Sequence, residues 1–330
     1  MSEDRADFDA LVDLAMADPA LSAMRPVVEK ELLHHEIFQA LDADGLLKNL
    51  VFQGGTSLRL CRGSDRFSED LDFAGGASFS ADSMGRLAAC VERRIGERFG
   101  FKVAVSNKPA KVGEDGVSHV KVEKWWISIE TSPENPAMPR QRIKLEIANV
   151  PAHTRELVPL RARYDFLLGM PTVLVNTESL DEIMADKVLA FPTSLLDNQG
   201  RPVAPDSAKI RHRDIWDLAW LVARGAKLDP RLVVEKIGDY GVPDYPGLLK
   251  RAIEQIPHIV KSREFGAQMT RFIDSATVAK TLGNSAYLDY LAATVGGLFE
   301  QMRTALADMQ TAGRQMPPAV ASTRKGRREN

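Results

Sequence analysis

The spacing of apolar positions changes several times along this chain, and each change marks an element. From residue 7 to 46 the pattern is helical, with Val27, Val28, Leu32, Leu33, Ile37, Phe38 and Leu41 on one stripe and Gly45 as the stop. Leu50-Val51-Phe52 then reads as a short strand entering Gly54-Gly55, and residues 56–62 read as a helix. Ser68 to Phe73 alternates, so a strand there puts Asp70 and Asp72 on one face and Leu71 and Phe73 in the core. Residues 80–98 form an amphipathic helical pattern that stops at Gly100, and residues 101–105 a strand.

Two longer alternating runs follow, over 119–129 and 141–147, and the turn residues Pro133, Asn135, Pro136 and Pro139 between them predict a hairpin. In its second arm Lys144 and Glu146 share a face opposite Ile143, Leu145 and Ile147. If that arm lies beside the Asp70–Asp72 strand, Glu146 becomes the third acid of one site. A short strand over 172–177 precedes Ser179-Leu-Asp-Glu182, a capping box opening a helix. A loop rich in Pro, Gly and Asp covers 192–207, and helical patterns then run to about 311, including 214–222 and 286–311. Adjacent Trp125 and Trp126 fall on opposite faces of their strand, one toward the core and one outward.

Composition narrows the classes. A length of 330 residues allows two domains, and a net charge of −2 gives no global signal for nucleic acid, so local patches must carry any such argument. Cys61 and Cys90 are the only cysteines, and Cys61 sits inside the helix after the glycine pair. Neither a disulfide framework nor a zinc site is expected, and a reducing cytoplasm fits best. The acidic N-terminus has no basic, then apolar, secretory pattern, and no apolar run of membrane-spanning length occurs. The histidines lack ligand spacing, and no G-x-S-x-G elbow, Ser-His-Asp set or P-loop is present.

The chemistry concentrates in one segment. Gly54 and Gly55 let backbone N–H groups and the hydroxyls of Thr56 and Ser57 approach a phosphate, at the N-terminus of a helix that favours anions. Asp70 and Asp72 repel one another, and a hard divalent cation shared with substrate phosphates offsets that. The combination reads as metal-assisted chemistry on a nucleoside triphosphate, with Arg59, Arg62 and Arg66 around it as cations able to bind phosphate or RNA.

GGTSLRL followed by SEDLDF resembles the first signature of the AbiEii/AbiGii toxin family of the DNA polymerase β-type nucleotidyltransferase superfamily. Lys144-Leu145-Glu146 resembles the second signature, with Glu where the family often has Asp. Asp186-Lys187 resembles the third and Arg213-Asp214-Ile-Trp-Asp217-Leu the fourth, so the ordered set spans roughly residues 50 to 220. The resemblance implies an α+β fold: a nucleotidyltransferase-like mixed β-sheet core with flanking helices, then a largely helical C-terminal lobe. The expected divisions are an N-terminal helical segment over 1–46, a catalytic domain over 47–200, a helical domain over 201–315 and a disordered basic tail over 316–330.

It further implies Mg²⁺- or Mn²⁺-dependent transfer of a nucleotide from an NTP with release of pyrophosphate. Asp70 and Asp72 would bind the metal, Glu146 would complete that site or take the acceptor proton, and Lys187 and Asp214 would complete the catalytic set. Gly54, Gly55, Thr56, Ser57, Arg59, Ser68, Lys144 and Lys187 would hold the nucleotide, with Arg211 or Arg213 on phosphate. Asp217 lies one turn beyond Asp214 as a reserve, and the alternative for Asp214 is a helix cap through Trp216. The expected setting is a bacterial toxin-antitoxin or abortive-infection system with a cognate antitoxin, for which a helix-turn-helix AbiEi-like protein is one form. In MenT-type relatives the acceptor is the tRNA 3′ end, and blocking it halts translation. Two other readings stay open: a small-molecule, antibiotic-type nucleotidyltransferase, and a non-catalytic NTP-binding interaction protein.

Overall fold

A computed structural model describes residues 3–108, 120–132, 140–197 and 199–315. The hairpin turn at Pro133, Asn135, Pro136 and Pro139 and the basic tail over 316–330 lie outside the described residues. Seven strands among the described residues form one mixed sheet: β1 (Val51–Gln53), β2 (Leu71–Ala74), β3 (Lys102–Lys108), β4 (Val122–Glu130), β5 (Gln141–Ala148), β6 (Glu156–Pro159) and β7 (Leu174–Thr177), in the order β3-β4-β5-β2-β1-β7-β6. The centre is what matters for function. There β2 runs parallel to β5 and antiparallel to β1, which sets Asp72 opposite Glu146 on one side and opposite Gln53 on the other.

Alternation gives this sheet two unlike faces. Trp125, Ile127 and Ile129 of β4, Ile143, Leu145 and Ile147 of β5, and Leu71 and Phe73 of β2 are buried on one face. Against them pack α1 (Glu3–Ala15), α2 (Arg25–Ala43) and α4 (Leu87–Phe99), joined through Phe8, Phe38, Val91 and Ile95 into a single core. Burial of that area is the main stabilising contribution.

The single helix expected over residues 7–46 is in fact two. Pro19 and Pro26 each occupy a first helical turn, and Asp18 accepts a hydrogen bond from the Ala20 N–H, so the chain turns between α1 and α2. The helix expected over 80–98 likewise begins as a separate turn at Ala81–Met84 before α4. The sequence pattern did not reveal β6, a four-residue edge strand ending at Pro159 that, among the described residues, pairs only with β7.

The second core is helical. It gathers α5 (Leu180–Thr193), α6 (His212–Ala223), α7 (Pro230–Tyr240), α8 (Tyr245–Ile259), α9 (Arg263–Thr270) and α11 (Ser285–Gln315), beside the short α10 (Ser275–Thr281). Thus α5, which begins three residues after the last strand, shares its apolar face with the C-terminal helices. No helix among the described residues is long and apolar enough to cross a membrane.

Candidate active site

The polar face of the sheet and the helical core enclose a cavity of about 640 Å³. Its floor is the glycine turn. Here α3 (Gly54–Ser57) begins two residues earlier than expected and continues as a wider π-type turn over Leu58–Arg62. Gly54 has φ +78°, and a Cβ there would lie 3.0 Å from Asp72 Oδ2, so only glycine lets the turn sit under the carboxylate. A Cβ on Gly55 would fall 2.2 Å from Arg66 Nη2, so the missing side chain is the space the guanidinium fills.

The sheet wall carries the acids. Asp70, Asp72 and Glu146 line the cavity with Lys144. Burial, together with the charges of Asp70 and Glu146, pushes the Asp72 carboxyl up to about 6. Glu146 behaves differently. Burial opposes its ionisation, but hydrogen bonds from Lys124 and Lys144 outweigh that and hold it below the usual range. Its two oxygens lie 2.7 Å from Lys124 Nζ and 2.8 Å from Lys144 Nζ, and Lys144 also reaches Asp70 at 3.4 Å.

These donors fit a divalent cation in part. Asp70 and Asp72 form an under-compensated carboxylate pair, and Mg²⁺ bound by one or two carboxylates plus substrate phosphates suits such a pair. Glu146 is committed to two lysines, and among the described residues no group of three His, Cys, Asp or Glu side chains is arranged to hold a metal ion.

The opposite wall is built from α5 and the start of α6. Lys187 Nζ lies 2.8 Å from Asp214 and 2.7 Å from Asp217, and Arg66 grips Asp217 at 2.8 and 2.7 Å. Asp214 therefore pairs with Lys187 and makes no cap with Trp216; Arg211 occupies the cap position. Burial disfavours the Lys187 charge, yet Asp214 and Asp217 more than offset it and keep the amine protonated. An ammonium has three donors, and the two aspartates take two of them. Asp186, beside Lys187 in sequence, instead pairs with buried Lys236 at 2.7 Å. Around the rim, Lys209, Arg211 and Arg213 also face the cavity.

Three residues expected at the nucleotide do not line this cavity. The Thr56 hydroxyl donates to the Asp70 carbonyl, and the Ser57 hydroxyl donates to the Gly54 carbonyl at 2.8 Å. Both hydroxyls tie the turn to itself and to the Asp70 strand. Arg59 is buried against Glu31 at 2.5 and 3.0 Å and stacks 3.9 Å above the Phe67 ring. Arg62 likewise binds Glu156 and Thr177 away from the site. Gly54, Gly55, Ser68, Lys144 and Lys187 do line the cavity, with Asp70, Asp72, Glu146 and Asp214. Sequence reasoning missed Gln53, Tyr240, Lys124 and Lys209. Gln53 and Lys124 were accessible from strand register, because each stands directly across from an acid already singled out.

Comparison with known proteins agrees with this architecture. The structure of MenT4, a nucleotidyltransferase toxin of Mycobacterium tuberculosis H37Rv, superposes with a TM-score of 0.53 at 20% identity, covering 92% of this chain and 91% of that one. JHP933 from Helicobacter pylori gives a TM-score of 0.41 at 17% identity, covering 87% and 96%. A putative nucleotidyltransferase of H. pylori gives 0.39 at 17%, covering 86% and 97%. A search of curated proteins gave no match. A family profile described as "Nucleotidyl transferase AbiEii toxin, Type IV TA system" matches residues 36–293, well over half of the chain. The chain belongs to the AbiEii nucleotidyltransferase toxin family.

Proposed function

We propose that this toxin-antitoxin nucleotidyltransferase transfers a nucleotide from an NTP to an RNA 3′ end, with tRNA as the acceptor, and so halts translation. The observation that carries this reading is the pairing of two walls: an under-compensated Asp70–Asp72 pair faces a cationic wall of Lys187, Lys209, Arg211 and Arg213 across one cavity. Asp70 and Asp72 would hold a Mg²⁺ ion, which when bound would supply charge neutralisation for the triphosphate.

The chain's own groups do the rest. Lys187 offers its remaining donor to the phosphate tail, and the Gly54–Gly55 turn lines the floor. The acceptor 3′-oxygen forms a bond to the α-phosphorus as the α–β anhydride bond breaks, and pyrophosphate leaves along the cationic wall. Glu146, next to Asp72 on the sheet, takes the hydroxyl proton. While Lys124 and Lys144 hold it, Glu146 is a weak base, and a phosphate that draws Lys144 away restores its basicity.

RNA is favoured over a small acceptor because the cavity opens onto exposed basic residues rather than a closed acidic pocket. Incubation with labelled NTPs, Mg²⁺ and total tRNA tests the proposal. Labelled tRNA is expected with the native chain and a loss of roughly 10³-fold with Asp70→Ala; equal labelling by the two proteins overturns it.

A further inference from the structure

The face of the sheet that carries Asp72 continues well beyond the cavity. Register across β2, β5, β4 and β3 puts Asp72, Glu146, Lys124 and Lys108 in one row, and Lys144, Trp126 and Ser106 in the next. Helices α1, α2 and α4 cover the opposite face. On this one Lys102, Ala104, Ser106, Lys108, Lys124 and Arg142 are exposed and Trp126 is half-buried.

The charge of the face is one-sided. Besides Asp72 in the cavity, its carboxylates are Glu146, held by Lys124 and Lys144, and Glu130, 3.6 Å from Arg140 and across from Lys102. Lys102, Lys108 and Arg142 have no ion-pair partner among the described residues, and Lys108 Nζ sits 5.9 Å from the Trp126 ring centre. An indole ring with an unpaired cation beside it and others along the same face is the chemistry that binds single-stranded nucleic acid, through stacking on the ring and phosphate contacts around it. A duplex keeps its bases stacked on one another and has no use for the ring.

We propose that this face is the acceptor shelf: it takes the last unpaired nucleotides of an RNA 3′ end, with Trp126 stacking a base and Lys102, Lys108 and Arg142 holding the backbone. The proposal rests on the reading of an RNA acceptor. Continuity supports it, because Trp126 stands opposite Lys144, which itself contacts Asp70. Two strand spacings, roughly 10 Å, separate the β2 and β4 backbones. A base stacked on Trp126 therefore leaves the terminal hydroxyl beside the acids.

The test uses the full chain, a 5′-dye-labelled single-stranded RNA with a free 3′-OH, the same sequence as a blunt duplex, and the variants Trp126→Ala, Trp126→Phe and Lys108→Glu. Trp126→Ala is expected to weaken single-strand binding and raise the KM for RNA about tenfold, with the KM for NTP unmoved and Trp126→Phe keeping most of the affinity. Lys108→Glu should lower the dependence of log affinity on log salt by about 0.7 or more. An RNA KM in Trp126→Ala equal to that of the native chain overturns the shelf while labelled tRNA leaves the transfer reading standing. Trp126-dependent RNA binding without any transfer does the reverse. Duplex bound as tightly as single strand overturns the shelf as well.

Discussion

The two walls of the cavity treat buried charge in opposite ways. On the helical wall the buried charges are paired within 2.8 Å, Arg66 and Lys187 with Asp217 and Lys187 with Asp214, while Lys209, Arg211 and Arg213 stay at the rim. Asp217 is fully buried, and although burial raises its pKa, Arg66 and Lys187 drive it far below the ordinary carboxylate value. On the sheet wall burial, with the like charges of Asp70 and Glu146 beside it, raises the Asp72 carboxyl instead. In the first the buried charges are offset within the protein. The second keeps a raised carboxyl beside like charges, so the stabilising ion pairs sit in one wall and the uncompensated acid in the other.

Removing an acid should therefore have opposite consequences on the two sides. Asp217→Ala leaves Arg66 and Lys187 as buried cations with one shared partner lost, and breaking such a pair costs about 3–5 kcal/mol. Urea denaturation is the measurement, and a loss below about 1 kcal/mol would show that water enters the cluster and that its charges are not offset within the protein. Gly55→Ala is expected to cost less, about 1–3 kcal/mol, because a Cβ placed 2.2 Å from Arg66 Nη2 pushes the guanidinium off Asp217 without deleting either charge. If that displacement is the cause, Gly55→Ala combined with Arg66→Ala will cost much less than the sum of the two changes.

The sheet wall was more legible in the sequence than the helical wall. Period-two alternation specified which residues of β2 and β5 face together, and the parallel pairing of β2 with β5 then set Asp72 beside Glu146. The hairpin of β4 and β5 was readable for the same reason. Long-range pairing was not readable. Arg59 looks like a phosphate ligand in sequence because nothing local shows Glu31 across 28 residues, and the Thr56 hydroxyl meets a carbonyl 14 residues on. Arg66 and Asp217 are 151 residues apart and meet only once the helical core has closed on the glycine turn. The break between α1 and α2 is marked by Pro19 and Pro26, whereas the apolar stripe of Val27 to Leu41 lies wholly within α2.

The smallest effect is the one that separates the walls most cleanly. A carboxyl whose folded pKa is raised gives stability that is fully present below its unfolded value of 3.8 and is lost as pH rises through about 6. Asp72→Asn removes that cost, so at pH 8 without metal the variant should be more stable than the native chain by about 1–2 kcal/mol. The advantage should vanish toward pH 4, where the native carboxyl is protonated. Metal and NTP compete with the same proton, so their apparent affinity for the native chain should fall about tenfold for each pH unit below 6, and Asp72→Asn should lose both the affinity and its pH dependence. Thermal melts across pH, with and without Mg²⁺ and NTP, read both quantities. A variant less stable than the native chain at pH 8 would mean that the sheet wall is compensated within the protein, and the contrast between the walls would fail.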